Sequence, residues 1–147
     1  MKGKIIAVIA AILLLSVANT KALSAQETSA TDVIKKSLNA FYYQGSDMKV
    51  RVKMKLINRQ GKERIREFVM LRKNEQLGGN QKYFIYFFRP ADVERTTFMI
   101  WKYPEKDDDR WLFIPAVNLV RRIAANDKRS SFVGSDFTYE DVSGRDV

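Results

Sequence analysis

The stretch RWLFIPAVNLVRRIAANDKRSSFVGSDFTYEDV, from Arg110 to Val142, decides the fold that this sequence predicts. It contains two apolar strand patterns, Arg110–Ile114 and Leu119–Ile123, and Pro115 ends the first of them. A polar block follows, with a third strand pattern from Phe132 to Tyr139. The chain ends five residues after this stretch without a further element. We therefore expect the chain to be the front part of a longer domain.

Four more strand patterns precede this stretch: Lys49–Ile57, Glu63–Lys73, Lys82–Phe88 and Thr96–Tyr103. The first two flank a turn that contains Gly61, which predicts a hairpin. The third places large apolar groups on both of its faces, so we expect it to be covered on both sides. A helix is predicted from Thr31, its capping residue, to Tyr43. Together these patterns predict a mainly β, α+β fold: one N-terminal helix followed by a curved antiparallel sheet.

The first strand pattern has one apolar and one basic side. Its apolar residues alternate with a basic stripe made of Lys49, Arg51, Lys53 and Lys55. The stripe has two interpretations, which are phosphate binding and a solvated outer face that prevents edge-to-edge aggregation. We favour the solvated outer face, because charged side chains are a common protection of sheet edges.

Residues 1–25 have the pattern of a secretory signal peptide. Lys2 and Lys4 precede the apolar run Ile5–Leu15, and small residues follow up to Ala25. Cleavage near Ala25 would leave residues 26–147, with 23 basic and 17 acidic side chains and a net charge of +6. Cleavage after Ala18 and a retained membrane anchor are the alternatives. The prediction is export to the periplasm, with weak attraction to anionic surfaces such as lipid headgroups.

The absence of two residue types excludes several classes of chemistry. The sequence has no cysteine and no histidine, which excludes disulfides, His- or Cys-ligated zinc, cysteine nucleophiles and Ser–His triads. The run Asp107–Asp109 lacks the spacing of a calcium loop, so we interpret it as a solvated hairpin turn. We predict no enzyme activity, no metal and no cofactor.

The remaining charged residues near the C-terminus have structural and functional interpretations. Paired catalytic carboxylates are the functional interpretation of Asp136, Glu140 and Asp141, and surface acids are the structural one. An enzyme acting on lipid or glycan through these acids is a third, less favoured hypothesis. Arginines after apolar strands are expected to form salt bridges on the outer face, or to hold a lid or a headgroup; they are Arg89, Arg121 and Arg122.

Large apolar side chains are concentrated on three neighbouring strand patterns. They indicate either an ordinary sheet core or the wall of an apolar ligand cavity. The candidate lipid-binding residues are Phe84, Tyr86, Phe88, Phe98, Ile100, Trp101, Trp111 and Phe113.

Three blocks of sequence resemble the bacterial outer-membrane lipoprotein-sorting family, whose members are related to the LolA and LolB lipoprotein carrier and receptor. The blocks are YFIYFFRPADVERTTFMIWKY (83–103), DDDRWLFIPAVNLVRRI (107–123) and FVGSDFTYED (132–141). The resemblance implies an open, strongly curved half-barrel with helices in its mouth, and acyl chains held on its concave apolar side. Because family members are longer, residues 26–147 would be the N-terminal part of such a domain, incomplete at the C-terminus.

The sequence therefore predicts a periplasmic carrier that binds acyl chains of lipoproteins or lipids in a concave apolar cavity, for transfer toward the outer membrane. Acyl chains are costly to expose to water, at about 0.8 kcal/mol per methylene. The expected partners are the acyl chains, an inner-membrane exporter or outer-membrane acceptor, and the membrane surface in transient contact, but no nucleic acid. The alternative is an envelope protein-interaction module that assists a membrane exporter and carries no lipid.

Overall fold

The structure, a computed structural model, describes residues 29–145. The predicted signal peptide, residues 1–25, lies outside them. The elements in chain order are α1 (Ala30–Tyr42), β1 (Asp47–Ile57), β2 (Glu63–Asn74), β3 (Gln81–Arg89), β4 (Thr97–Lys102), β5 (Asp109–Ile114), β6 (Leu119–Ile123) and α2 (Tyr139–Ser143), with 3₁₀ turns at Pro115–Val117 and Ala125–Asp127. Within residues 29–145, no helix is both long and apolar enough to cross a membrane.

The six strands form one antiparallel sheet in the order β1-β2-β3-β4-β5-β6. Each strand therefore pairs with its neighbour in sequence, and β1 and β6 form the two edges of a sheet that does not close on itself. The predicted fold class, a mainly β open half-barrel with an N-terminal helix, is confirmed. All six strands lie within two residues of their predicted bounds, because an alternating pattern bounded by turn residues is a direct signal for antiparallel strands.

The turn between β1 and β2 fixes the register of the first hairpin. The side-chain amide oxygen of Asn58 accepts hydrogen bonds from the backbone N–H groups of Gln60 and Lys62, at 3.0 and 2.8 Å. Gly61 has φ +78°, a left-handed conformation that glycine adopts without steric cost. This register places Lys49 opposite Leu71 and Val52 opposite Phe68.

The sheet has two faces, because successive side chains of a strand point to opposite sides and directly paired residues share a side. The core face is the side that carries Phe68, Tyr83, Ile85, Phe87, Phe98 and Ile100, all buried. The open face is the other side, which carries the basic stripe of β1 and the rows Leu71–Phe84–Met99–Trp111 and Val69–Tyr86–Thr97–Phe113.

The core face is covered by the segment that follows β6. Phe132 and Tyr139 of this segment join the buried cluster, and the ring of Phe98 lies 5.3 and 5.2 Å from theirs. The predicted strand from Phe132 to Tyr139 is wrong. Val133 has φ +51° and the hydroxyl of Ser135 donates to the carbonyl of Phe132 at 2.7 Å, so the chain turns here instead of extending.

The C-terminal end of α1 is hydrogen-bonded to the sheet. The carbonyl of Tyr42, at the end of α1, accepts hydrogen bonds from the buried side chains of Arg72 and Gln81 on the core face. At the other end, Ser29 caps the helix by accepting from the backbone N–H of Asp32 at 3.1 Å, so the cap lies two residues before the predicted Thr31. No residue of α1 is buried.

Candidate functional site

The open face holds a row of apolar side chains with a cation at each end. Pairing across all six strands aligns Lys49, Leu71, Phe84, Met99, Trp111 and Arg122. Neighbouring strands are about 4.8 Å apart, so the four apolar residues extend over roughly 14 Å. No single segment of the sequence shows this row, because each of its members comes from a different strand.

A groove of about 490 Å³ lies at one end of this row. Its apolar floor is formed by Leu71, Phe84, Met99 and Trp101. Its volume falls within the range of small-molecule sites, about 300 to 1,000 Å³. Phe84 and Trp101 remain 42% and 41% exposed, so the groove is open to solvent along one side. The groove therefore offers an apolar surface that a ligand can reach without any opening of the core.

The exposure of this groove follows from the composition of β3. Its residues 83–88 read YFIYFF, and the core face takes Tyr83, Ile85 and Phe87. The intervening Phe84 and Phe88 must then point to the open face, where 42% and 37% of their surface is exposed. The prediction that this strand is covered on both sides is wrong, because no element within residues 29–145 covers the open face over these two side chains.

Basic side chains surround the apolar floor. Lys49, Lys73 and Lys82 line the groove, together with one acidic residue, Asp47. Lys82 donates to Glu75 at 2.8 Å, and its ammonium lies 5.5 Å from the centre of the Trp101 ring. This hydrogen bond lowers the pKa of Glu75 below its usual value. The rim of the groove is therefore cationic on balance.

The rest of the basic stripe is also solvated, as predicted. Arg51 forms an ion pair with Glu67 at 3.1 Å and stacks over the ring of Phe88 at 5.5 Å. Lys55 pairs with Glu63 at 3.0 Å, and both side chains are about half exposed. The structure adds one fact that the pattern of β1 alone does not contain, which is that the stripe and the exposed rings share one face.

The eight candidate lipid-binding residues fall on both faces of the sheet. Phe98 and Ile100 are fully buried on the core face. On the open face are Phe84, Tyr86, Phe88, Trp101, Trp111 and Phe113. Phe84 pairs with Met99 and not with Ile100, so Phe84 and Ile100 lie on opposite faces of the sheet. Alternation within each strand did not decide which of them faces the ligand.

The groove is lined by nine residues that were not among the eight candidates, and these include Leu71, Met99, Lys73 and Lys82. A signal for Leu71 and Lys73 was present in the sequence. The turn at Asn58–Lys62 sets the register of the first hairpin, and that register places Leu71 beside Lys49 of the basic stripe. The position of Met99 depends on the pairing of β3 with β4, across a connection without a short turn motif.

The acidic run Asp107–Asp109, which leads into β5, is only partly the solvated turn that the sequence predicts. Asp108 is buried, not solvated, and it accepts hydrogen bonds from Arg110 at 2.6 Å and from the hydroxyl of Ser143 at 3.1 Å. Ser143 ends α2, so this buried carboxylate ties the covering segment to the start of β5. Asp109 forms an ion pair with the exposed Arg122.

The acids at the C-terminal end have structural partners. Asp141 forms a capping box with Thr138, which starts α2. The hydrogen bond from Arg145 and those from Thr138 lower the pKa of Asp141 to about 2. Glu140 is buried and lies 3.3 Å from Arg129. These contacts give Glu140 and Asp141 structural roles. Asp136, the third acid with a catalytic interpretation, is exposed.

The chain is similar to one protein family and to two solved structures. A family model described as "Uncharacterized protein" matches residues 79–147. No curated protein matches the chain. Two crystal structures are similar, a DUF1329 family protein from Desulfovibrio piger (35% identity, TM-score 0.65) and a domain from Vibrio parahaemolyticus (31% identity, TM-score 0.67) described as an outer membrane lipoprotein-sorting protein domain.

The likeness to both structures covers 78% of this chain. The chain in turn spans 50% of the Desulfovibrio piger protein and 48% of the Vibrio parahaemolyticus domain, about half of each. The resemblance to lipoprotein-sorting proteins is thus supported at the level of sequence likeness and shared fold.

Proposed function

We propose that this chain is a non-enzymatic module of the bacterial envelope that binds acyl chains of lipids or lipoproteins in the groove on the open face and carries them toward the outer membrane. The observation that carries the proposal is the solvent-open groove itself, whose floor is Leu71, Phe84, Met99 and Trp101. Large exposed apolar surfaces are uncommon on soluble domains and mark binding sites.

The core face is a poorer acyl site than the open face. Its central side chains, Ile85, Phe87, Phe98 and Ile100, have no exposed surface, and Phe132 packs on them. An acyl chain would have to displace this covering segment before it reached them. The groove requires no such rearrangement, so the proposed cavity is on the opposite side of the sheet from the protein's own core.

One of the two similar structures supports the cellular location and the class of ligand. The Vibrio parahaemolyticus domain is described as an outer membrane lipoprotein-sorting protein domain, and lipoprotein sorting requires that acyl chains be shielded from water. The signal-peptide pattern of residues 1–25 agrees with export to the periplasm. In this proposal an inner-membrane exporter or outer-membrane acceptor exchanges acyl chains with the module.

The energetics fit a carrier that must also release its ligand. A fully buried methylene contributes about 0.8 kcal/mol, but an open groove covers an acyl chain on one side only. Half coverage of each methylene contributes less than full burial does, and therefore less than a membrane interior supplies. Binding of this strength is reversible, so a membrane or a more enclosed acceptor can withdraw the chain without any chemical step.

The two tryptophans of the chain provide a direct test. Trp101 and Trp111 lie 5.5 Å apart on the open face, and they are the only tryptophans in the sequence. Titration of the full chain with a bromine-labelled fatty acid should quench their fluorescence in a saturable manner. Phe84→Asp places a charge on the apolar floor and should abolish the saturable quenching.

Val117→Asp is the matched control. Val117 is an exposed apolar residue in the turn between β5 and β6, and it is not part of the groove. This variant should bind the labelled fatty acid like the unmodified chain. Equal quenching in Phe84→Asp and the unmodified chain would refute the proposed site, provided that circular dichroism shows both proteins to be folded.

The second candidate function is an interaction module for a membrane exporter, without lipid cargo. One observation favours it. The apolar residues Val33, Ile34 and Phe41 of α1 are 55%, 47% and 75% exposed, which is a surface suited to a protein partner. Absence of saturable quenching in the unmodified chain would support this candidate over acyl binding.

A further inference from the structure

Two lysines face each other at the edge of the groove. Lys73 of β2 pairs directly with Lys82 of β3 on the open face. Directly opposite residues in antiparallel strands have their Cβ atoms about 5 Å apart, and like charges in such a pair are destabilising. The fold therefore places the Cβ atoms of two lysines close together at the end of an apolar surface.

A third lysine completes the cluster. Lys49 is paired with Leu71, which makes it the diagonal neighbour of Lys73. Diagonal neighbours are about 7 to 8 Å apart, within reach of long side chains. Lys49 and Lys73 have no ion-pair partner within residues 29–145, although Asp47 is paired opposite Lys73. Lys82 is the one cation of the three with a close carboxylate, that of Glu75.

The lysine cluster is continuous with the apolar floor. Along β2, Lys73 and Leu71 are successive residues of the open face, and along β3 the same is true of Lys82 and Phe84. Successive side chains on one face of a strand are roughly 7 Å apart. A molecule with an anionic head and an apolar chain could thus contact the ammonium groups and the floor at the same time.

We propose that the groove selects acyl ligands that carry an anionic headgroup, phosphate or carboxylate, over uncharged glycerides. Lys49, Lys73 and Lys82 bind the headgroup, and Leu71 and Phe84 contact the chain. This inference rests on the proposed function, since it names the class of acyl ligand that the same groove accepts. Ammonium groups bind phosphate as compact charges, and each such hydrogen bond is stronger than a neutral one.

The test compares two lipids of equal chain length, a monoacyl phosphatidic acid and a monoacylglycerol, each below its micelle concentration. Their dissociation constants for the full chain are measured by tryptophan fluorescence. The anionic lipid should bind about tenfold more tightly, the ratio expected for one or two solvent-exposed charged hydrogen bonds. The preference should decrease as salt is added, because these charges are screened.

The double variant Lys73→Gln/Lys82→Gln should lose the preference while its affinity for the monoacylglycerol stays the same. Lys53→Gln/Lys55→Gln is the matched control, because it removes two cations from the same face outside the groove. The control should keep the full preference, and inorganic phosphate alone should compete only weakly.

The outcomes separate this inference from the proposed function. Equal binding of the two lipids would overturn headgroup selection and leave acyl binding in place. An equal loss of preference in both double variants would replace the specific cluster with a general surface charge and so overturn the inference. If inorganic phosphate competed as well as the anionic lipid, the lysines would bind the headgroup without any contribution from the acyl chain, and the inference would be overturned. Failure of both lipids to bind would overturn acyl binding itself.

Discussion

β3 contributes large aromatic residues to both faces of the sheet, but they are buried to different extents on the two faces. Phe87 on the core face has no exposed surface, whereas Phe84 on the open face is 42% exposed. Both are phenylalanines in one strand, three residues apart. What separates them is the segment after β6, whose Phe132 lies 6.0 Å from the ring of Phe87. Burial is thus decided by the element that covers a face, and not by the composition of the strand.

The largest effect is expected from a pair of truncations, one on each face, that tests this comparison. Phe98→Ala should lower the free energy of unfolding by about 3 to 5 kcal/mol, because it leaves a cavity among fully packed rings. Phe84→Ala should cost about 1 kcal/mol or less, because much of the side chain is already exposed to solvent. Urea unfolding followed by circular dichroism measures both values.

Equal losses of unfolding free energy in Phe98→Ala and Phe84→Ala would contradict this difference between the two faces. A similar loss for Phe84→Ala would mean that the open face is as well covered as the core face in solution. In that case the groove would be occupied by part of the protein, and the acyl site proposed for it would not be available.

Much of the fold could be predicted from the sequence, since antiparallel strands and hairpin turns are encoded locally. The alternation of Lys49–Ile57 and the turn at Gly61 each depend on a few consecutive residues. The covering segment was harder to predict. FVGSDFTYED has the aromatic content of a strand, but the positive φ values of Val133 and Gly134 turn the chain, and the capping box at Thr138 starts a helix.

The site could be predicted only in part, because it is made by pairing across strands. Alternation indicates which residues of a single strand share a face, but it does not relate the face of β3 to that of β4. Phe84 and Ile100 illustrate this limit, since each is apolar and in a strand, yet they lie on opposite faces. The opposed lysines Lys73 and Lys82 are likewise nine residues apart and meet only through the register of β2 and β3.

An intermediate change in unfolding free energy is expected at Asp141, in the segment that covers the core face. The side chain of Asp141 completes the capping box of α2 with Thr138, and the hydrogen bond from Arg145 is the largest cause of its lowered pKa of about 2. A carboxylate whose pKa is lower in the folded chain stabilises the fold above its unfolded pKa, near 4. That contribution is lost as the pH falls through 4 toward 2. Asp141→Ala should therefore cost about 1 kcal/mol at neutral pH and almost nothing near pH 2.

Asp136→Ala is the control for this pH dependence. Asp136 is exposed, four residues before Glu140, and forms no ion pair within residues 29–145. Its substitution should leave the unfolding free energy unchanged at every pH. A difference between Asp141→Ala and the unmodified chain that persists undiminished at pH 2 would show that the carboxylate acts by packing and not by its charge.

The smallest effect is expected on the open face, at the ion pair of Lys55 and Glu63. Their nitrogen and oxygen are 3.0 Å apart, but the two side chains are 52% and 48% exposed. Exposed ion pairs contribute between 0 and about 1 kcal/mol, because solvent screens them and two long side chains must be ordered. Lys55→Ala should therefore change the free energy of unfolding by less than about 0.5 kcal/mol in low salt, and by still less in high salt.

This small value bears on why the open face carries so many cations. If Lys55→Ala and the Lys73→Gln/Lys82→Gln variant both leave stability almost unchanged, these charges do not hold the sheet together. Their contribution would then lie in keeping the β1 edge soluble or in binding, and only the groove lysines should alter lipid affinity. A loss of stability at Lys55 comparable to that of Phe98→Ala would instead make the open face a part of the folded core, and the division between the two faces would no longer hold.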